Sequence, residues 1–378
     1  MVPRIRTVSM CTEKARRLRI FAFGGNGTSG KLNIVTPDMD RLGRDLCSAA
    51  GDGLTSDEMG EVISRTIVGL VAHDSLHVCW RNPDTNMASF GFWHRLTAKI
   101  GRMQMINLYS GQEPAHPAEH AHRGVLAQVV NARDRLAYKI LLDNGFGSEL
   151  RLLLRGSHGS WGTLVLFREQ GGRPFEQCDV DRVAQLVKPL VAASRSYIRA
   201  TPLRPPDQDL PPGVIMVGAD HAVRGITPEG HAWLREIRLP ASLAKPEWAA
   251  TALSSEVAMA SRRFVRDPTT SRPVACLPSA YAGRWVSIQG QPLNADGTGD
   301  VAVIIQAAGV ELLPALSAWY DITGRERTII DQLREGIPAK QIARRLDLSV
   351  HTVNDHLKSI YRKISITSRE EIMAVLSR

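Results

Sequence analysis

Residues 320–378 read YDITGRERTIIDQLREGIPAKQIARRLDLSVHTVNDHLKSIYRKISITSREEIMAVLSR, a stretch dense in helix start and stop signals. Thr323 followed by Glu326 is a capping box, which predicts a helix from about Gly324 to Glu335. Ile329, Ile330 and Leu333 fall on its inner side. Gly336 ends it, where positive φ is favoured. Pro338 opens a second helix, Ala339 to Leu346, where its missing N–H costs nothing. That helix turns Ile342, Ala343 and Leu346 inward. The turn Asp347-Leu348-Ser349 follows. Ser349 caps a third helix, about Val350 to Ile364, whose inner stripe is Val353, Leu357, Ile360 and Ile364.

Helix, three-residue turn, helix is the geometry that lays a second helix in the major groove of DNA. Asn354 suits an adenine edge, Lys358 a guanine and Asp355 a cytosine amine. Lys340, Arg344, Arg345, His351, Thr352, Arg362, Lys363 and Arg369 suit phosphate oxygens, which position without specifying. Between Pro338 and Lys363, six Lys/Arg stand against two Asp, the basic balance that backbone binding needs.

Thr323-x-Arg325-Glu326, Gly336-Ile337-x-x-Lys340-x-Ile342-Ala343-x-x-Leu346, Ser349-x-x-Thr352-Val353-x-x-His356-Leu357, Lys363 and Ser368-Arg369 together resemble the LuxR-type helix-turn-helix of bacterial transcription regulators. The resemblance implies an all-α four-helix domain, residues 316–378. Its third helix reads DNA, its last helix (about Ser368 to Leu376) dimerises, and it binds inverted half-sites. Ile372, Val375 and Leu376 are the candidate dimer contacts, with closure of the bundle's own core as the alternative. Asn354 and Asp355 depart from what many members carry, so base preference is not carried over.

The length of 378 residues fits two or three domains. With 43% hydrophobic and 22% charged residues the composition is that of a globular protein. No run of eighteen apolar residues predicts a membrane span, and no secretory signal is recognised at the N-terminus. Five widely spaced cysteines without a CxxC fit a reducing cytoplasm and argue against a disulfide framework or a structural zinc. The net charge of +9 suits a nucleic-acid partner, but residues 1–20 alone, with six Lys/Arg and one Glu, supply +5 of it.

Residues 1–36 read as a flexible basic tail. They contain Gly25-x-Gly27-x-x-Gly30-Lys31, but Leu32 stands where a P-loop needs Ser or Thr, and no dinucleotide-type helix and acid follow. Residues 37–200 alternate helices with strands: helices from Pro37 and from about Ser56 to Val71, a strand at Leu76–Arg81, a hairpin of Glu149–Arg155 with Trp161–Arg168, and a helix to about Ile198. Residues 88–140 carry few strand signals and read as helical or irregular. Five prolines in 202–212 mark a linker, residues 201–212. Residues 213–310 begin with strands at 213–217 and 223–226, continue in a helix from Pro228 to Ile237, and end in strands at 283–290 and 300–306. No longer internal repeat is evident.

His73-Asp74, Pro83-Asp84-Thr85, Gly145 to Arg151, Trp161-Gly162 and Arg173-Pro174-Phe175 resemble a GAF domain. Gly213-Val214-Ile215, the Asp220 turn and the last strand pair with Trp285 resemble a PAS-like domain. The fold class expected is α+β sensor domains followed by an all-α reader.

His116, Glu119, His120 and His122 have a metal-like spacing, interrupted by Pro117, and His73, His77 and Cys79 form a second set that straddles a helix-to-strand junction. For those reasons the expectation is no metal; no cofactor is expected either, and no catalytic residue, because no nucleophile motif such as G-x-S-x-G is present. The function expected is a cytoplasmic, sequence-specific DNA-binding transcription regulator, not an enzyme, controlled by a signal in the GAF/PAS-like region. An unidentified small-molecule ligand of the GAF-like domain, double-stranded DNA, a second copy of the chain and RNA polymerase are the expected partners, and no membrane is. The alternative is a ligand-regulated enzyme or signalling module that uses the helix-turn-helix for targeting.

Overall fold

The structure is a computed structural model describing residues 38–378 except 98, 101–102, 104–126, 131–134, 157–158, 202–209, 238–245, 271, 310–311 and 377–378. The glycine-rich segment at 25–31, His116 to His122 and most of the Pro-rich linker lie outside the described residues. Asp38–Arg378 form one compact unit. No described helix is long and apolar enough to cross a membrane.

The first part runs α1 (Met39–Gly51), α2 (Ser56–Ile67), β1 (Ser75–Arg81), β2 (Ala88–His94), β3 (Ala127–Val130), α3 (Arg135–Leu142), β4 (Phe146–Gly156), β5 (Gly159–Glu169), α4 (Gln177–Val183) and α5 (Val187–Arg199). Asp38 caps α1 through its carboxylate, and Thr55 with Glu58 boxes the start of α2. The long helix expected up to Ile198 breaks at a 3-10 turn, Ala184–Leu186. Pro189 in the first turn of α5 has no N–H to return to residue 185, which explains the break.

The strands form an antiparallel sheet in the order β2-β1-β5-β4-β3. Leu76 faces Leu166 and Val78 faces Leu164 across β1 and β5, so one face of the sheet is continuously apolar. That face packs with Leu46, Met59, Ile63 and Leu190 of the helices. The opposite face carries a smaller cluster around Leu141, Phe146, Val165 and Phe167.

Strands β2 and β3 correct the expectation for residues 88–140. In β2, Ser89 and Gly91 dilute the strand propensity, yet both are used. The Ser56 hydroxyl donates to the Gly91 carbonyl, and α2 lies so close to β2 that a Cβ on Gly60 would collide with the Trp93 carbonyl oxygen.

The second part runs β6 (Gly213–Val217), β7 (Val223–Ile226), α6 (Pro228–Glu236), α7 (Pro246–Arg266), β8 (Val274–Leu277), α8 (Ser279–Ala282), β9 (Val286–Pro292) and β10 (Val301–Ala307). Its sheet has the order β7-β6-β10-β9-β8. Counted from its own first strand, that is again 2-1-5-4-3, so one topology occurs twice, a repeat that the sequence did not disclose. The strand expected from Gly283 starts later because Gly283, at φ 82°, is the left-handed stop of α8. Helix α7, 21 residues long, lies across this sheet. Ser254 and Ser261 return their hydroxyls to carbonyls four residues back, at 2.7 and 2.6 Å, and so enter the core without an orphaned donor.

The two sheets meet edge to edge. The Ser89 hydroxyl donates to the Cys276 carbonyl, and Arg81 pairs with Glu256 at 2.8 Å, each side chain 6% exposed. Above this seam lies α9 (Leu312–Trp319), followed by α10 (Gly324–Arg334), α11 (Ala339–Arg345), α12 (Val350–Ile364) and α13 (Arg369–Leu376). Two α+β sheets followed by helices is the fold class expected from the sequence.

Four of these five helices end alike, with a left-handed residue and an N–H reaching back five positions. The left-handed residues are Asp321, Gly336, Asp347 and Ser365, at φ 55°, 79°, 53° and 56°. The matching bonds run from Ile322, Ile337, Leu348 and Ile366 to the carbonyls of Ser317, Gln332, Ala343 and Tyr361. Only Gly336 is free of the left-handed penalty. Ser365→Gly is therefore expected to stabilise by up to about 1 kcal/mol. Gly60→Ala, by contrast, is expected to destabilise by about 2 kcal/mol, because backbone must move. Denaturant unfolding of the full chain checks both, and a stabilising Gly60→Ala would contradict the α2–β2 packing.

Candidate nucleic-acid interface

The helix-turn-helix is assembled as its caps and stripe dictate. Thr323 N donates to Glu326 Oε2 at 2.7 Å and Glu326 N to Thr323 Oγ1 at 3.2 Å, the reciprocal box. Ser349 Oγ accepts from Thr352 N at 3.0 Å and caps α12. Pro338 stands at the cap position of α11 rather than inside it. Ile329, Ile330, Leu333, Ile342, Val353, Ile360 and Ile364 are buried together, with Leu357 half-buried.

On the outer side of α12, His351, Asn354, Asp355, Lys358 and Arg362 are exposed. Asp355 stands between two side chains of its own helix: Oδ2 lies 3.0 Å from His351 Nδ1 and Oδ1 lies 3.5 Å from Lys358 Nζ. These groups are open to water, so the pairs add little stability and leave Lys358 free to turn to another acceptor. Lys340 and Arg344 are exposed on α11. Arg345 reaches Gln332 at 3.1 Å and Glu335 at 3.3 Å. Thr352 is half-buried, its hydroxyl 2.8 Å from that of Ser349.

Three of the residues read from the sequence are occupied elsewhere. Lys363 turns inward: its ammonium donates to Glu326 Oε2 and to the Asp321 carbonyl, both at 2.6 Å. Glu326 is 3% exposed. Burial pushes its carboxyl up, but hydrogen bonds from Lys363, Thr323 and Ser359 outweigh that and hold it below its ordinary value. Lys363 thus ties the third helix to the start of the first and is no phosphate contact in this arrangement. Ile372 is 1% exposed and closes the bundle's own core, so it presents no surface to a second copy. Arg369 points its guanidinium at the Leu333 carbonyl, 3.4 Å away, at the end of α10. The side chains of Val375 and Leu376 lie outside the described residues.

No local motif signals how the helical region is held to the part that carries the first sheet. Arg195 and Arg199, one turn apart on α5, both reach Asp321, and Arg327 lies 3.8 Å from Asp84. Partners more than a hundred residues apart leave no local signal.

Elsewhere, His73, His77 and Cys79 do not converge. His73 is bonded to Ser64 Oγ at 3.0 Å and to the Val71 carbonyl at 2.7 Å. His77 stacks on Trp93 at 3.8 Å; part of its surface is open, but burial of the ring nitrogens lowers its pKa to about 3. Burial likewise pushes the Cys79 thiol up to about 11. Among the described residues no three His, Cys, Asp or Glu are grouped to hold a metal.

Residues 321–376 match the family described as "Bacterial regulatory proteins, luxR family". The "Monoamine regulon transcriptional regulator" of Klebsiella aerogenes is 40% identical over 62 residues, 16% of this chain and 25% of that protein. The "Nitrate/nitrite response regulator protein NarL" of Escherichia coli K12 is 44% identical over 50 residues, 13% of this chain and 23% of that protein. The chain therefore spans about a quarter of the length of these relatives. A crystal structure of Escherichia coli SdiA aligns with 89% of this chain and 96% of its own, at 11% identity and a TM-score of 0.34, too low a likeness to argue from. The four helices from Gly324 to Leu376, with the joint at Asp321 before them, are a LuxR-family helix-turn-helix domain.

Proposed function

We propose that the protein is a sequence-specific DNA-binding transcription regulator. The observation that carries this reading is the outer face of α12, where Asn354, Asp355 and Lys358 are exposed on a LuxR-family domain, flanked by Lys340, Arg344 and Arg362. The first three would read base edges and the others, with Arg345, His351 and Thr352, would meet phosphates. One helix reads few base pairs, so two copies on an inverted repeat would multiply specificity. RNA polymerase is the partner that a regulator bound beside a promoter would meet.

In this reading the two sheet-bearing parts sense a signal, a small molecule or a protein, and act on DNA binding through differential affinity for two states of the molecule. The competing enzyme reading finds no support in the perturbed groups of the first sheet. Burial keeps the Cys79 thiol protonated and the His77 ring neutral, the opposite of what a nucleophile and an acid require.

Sequencing genomic fragments retained by the full chain at physiological salt tests the reading. Enrichment of a few inverted repeats is expected, and uniform recovery of all sequences would overturn it. Lys358→Ala should weaken binding to such a site by roughly 1–3 kcal/mol. Arg362→Ala should weaken all sequences and lower the salt slope by about one. Lys363→Met should leave the salt slope unchanged while destabilising the domain by about 3 kcal/mol, because it strands a buried carboxylate. The folded-state pKa of Glu326 is depressed, so its stabilisation is full above the ordinary carboxyl value and is lost as pH falls through the folded one. Acid unfolding followed in the wild type and in Glu326→Gln should show this loss in the wild type only.

A further inference from the structure

Asp321 joins α5, a helix packed on the first sheet, to α12. Its carboxylate is gripped by Arg195, at 2.9 Å (Nη1 to Oδ2) and 2.5 Å (Nη2 to Oδ1), and by Arg199 at 3.3 Å. The same two guanidinium groups donate to the carbonyls of Ala318 and Trp319 at 3.2 and 3.1 Å, which closes the C-terminal end of α9 with positive charge. On its other side, the Asp321 carbonyl accepts from Lys363 of α12 at 2.6 Å. The backbone at Asp321 is left-handed, φ 55°, a conformation that a non-glycine residue keeps only where its surroundings hold it. Arg195 is fixed in turn, its guanidinium lying over the Trp161 ring at 4.7 Å. A bidentate Arg–carboxylate pair fixes direction as well as distance.

We infer that this clamp sets the angle at which the reader is presented, and thereby which spacing between two half-sites the protein accepts. The inference rests on the two-copy mode of DNA binding proposed above. Two readers on loose joints meet a second half-site at an effective concentration spread over many orientations. Clamped readers concentrate it on the one spacing that their geometry matches. Arg195 and Arg199 are then positioning residues, distant from the bases but acting on them through Asp321 and Lys363. The clamp is partly open to water, with the Asp321 side chain 44% exposed, so it is weakened by salt and can be released by a shift of α5.

The test uses the full chain as wild type, as Asp321→Asn, which keeps tolerance for the left-handed backbone, and as the double variant Arg195→Gln/Arg199→Gln. The probes are an inverted-repeat duplex enriched by the wild type from genomic DNA, the same duplex with one half-site scrambled, and the repeat with about half a helical turn inserted. Both variants should bind the scrambled duplex as the wild type does. They should bind the intact repeat roughly tenfold more weakly and lose less than the wild type on insertion. Hydrogen exchange at residues 318–323 should also quicken in both. Unchanged binding to all three probes, unchanged exchange, or equal losses on the scrambled and intact duplexes would each overturn the inference. A wild type that does not prefer the repeat to the single half-site would instead overturn the two-copy reading beneath it.

Discussion

The ring of Phe90 is the contact on which the rest of the architecture closes. It lies on β2 and meets Trp80 of β1 at 6.0 Å, Tyr197 of α5 at 5.7 Å, Tyr281 of α8 at 6.0 Å and Trp319 of α9 at 6.3 Å. One side chain thus touches both sheet-bearing parts and the helix that leads into the reader. Trp285 packs at a tilt against Trp319, ring centroids 5.6 Å apart, and extends the cluster to the start of β9. Close-packed protein interiors resist smooth deformation, so these rings hold the three parts in one arrangement. Beside this apolar joint run the ionic ones. Arg81 with Glu256 seals the two sheets, and Arg195 and Arg199 with Asp321 seal the first sheet's helix to the reader.

What could be read in the sequence follows from the range of the interaction. The reader was legible because its signals are local: Thr323 and Glu326 three apart, Ser349 at the start of α12, Gly336 at the end of α10, and a stripe repeating within fifteen residues. The hairpin β4–β5 was legible for the same reason. Strand β2 was not, because Ser89 and Gly91 are chosen for the approach of β8 and α2 rather than for strand propensity. Helix α7 was not, because Ser254, Ser261, Glu256 and Arg262 interrupt its apolar side yet are buried, the serines satisfied by carbonyls one turn back and Glu256 and Arg262 by partners distant in the chain. Asp321 and Ser365 are helix stops that look like ordinary polar residues until the backbone is seen. Within the reader, a lysine on the third helix looks alike in sequence whether it faces solvent, as Lys358 does, or Glu326, as Lys363 does. Only the helix phase against α10 separates them.

The repeated strand order explains why the two sheet-bearing parts can be built from such different sequences. The order 2-1-5-4-3 places the first and last strands of each part side by side at the centre and needs only that their facing residues be apolar. In the first part Leu76, Val78, Leu164 and Leu166 meet that need. In the second part Val301, Val303 and Ile305 meet it against Ile215 and Val217. The helices above are then free to differ, and they do.

The aromatic joint also fixes an order of events during synthesis. Its members stand at 80, 90, 197, 281, 285 and 319, so the ribosome delivers Trp319 long after the strand it packs against. Domains fold as they emerge, N-terminal first. Until α9 arrives, the nascent chain therefore carries a wet aromatic notch at Phe90 and Trp285. A product truncated ahead of Trp319 would keep that notch open, a sticky surface for chaperones and proteases to recognise. The last helix before the reader thus closes the joint between the two sheet-bearing parts.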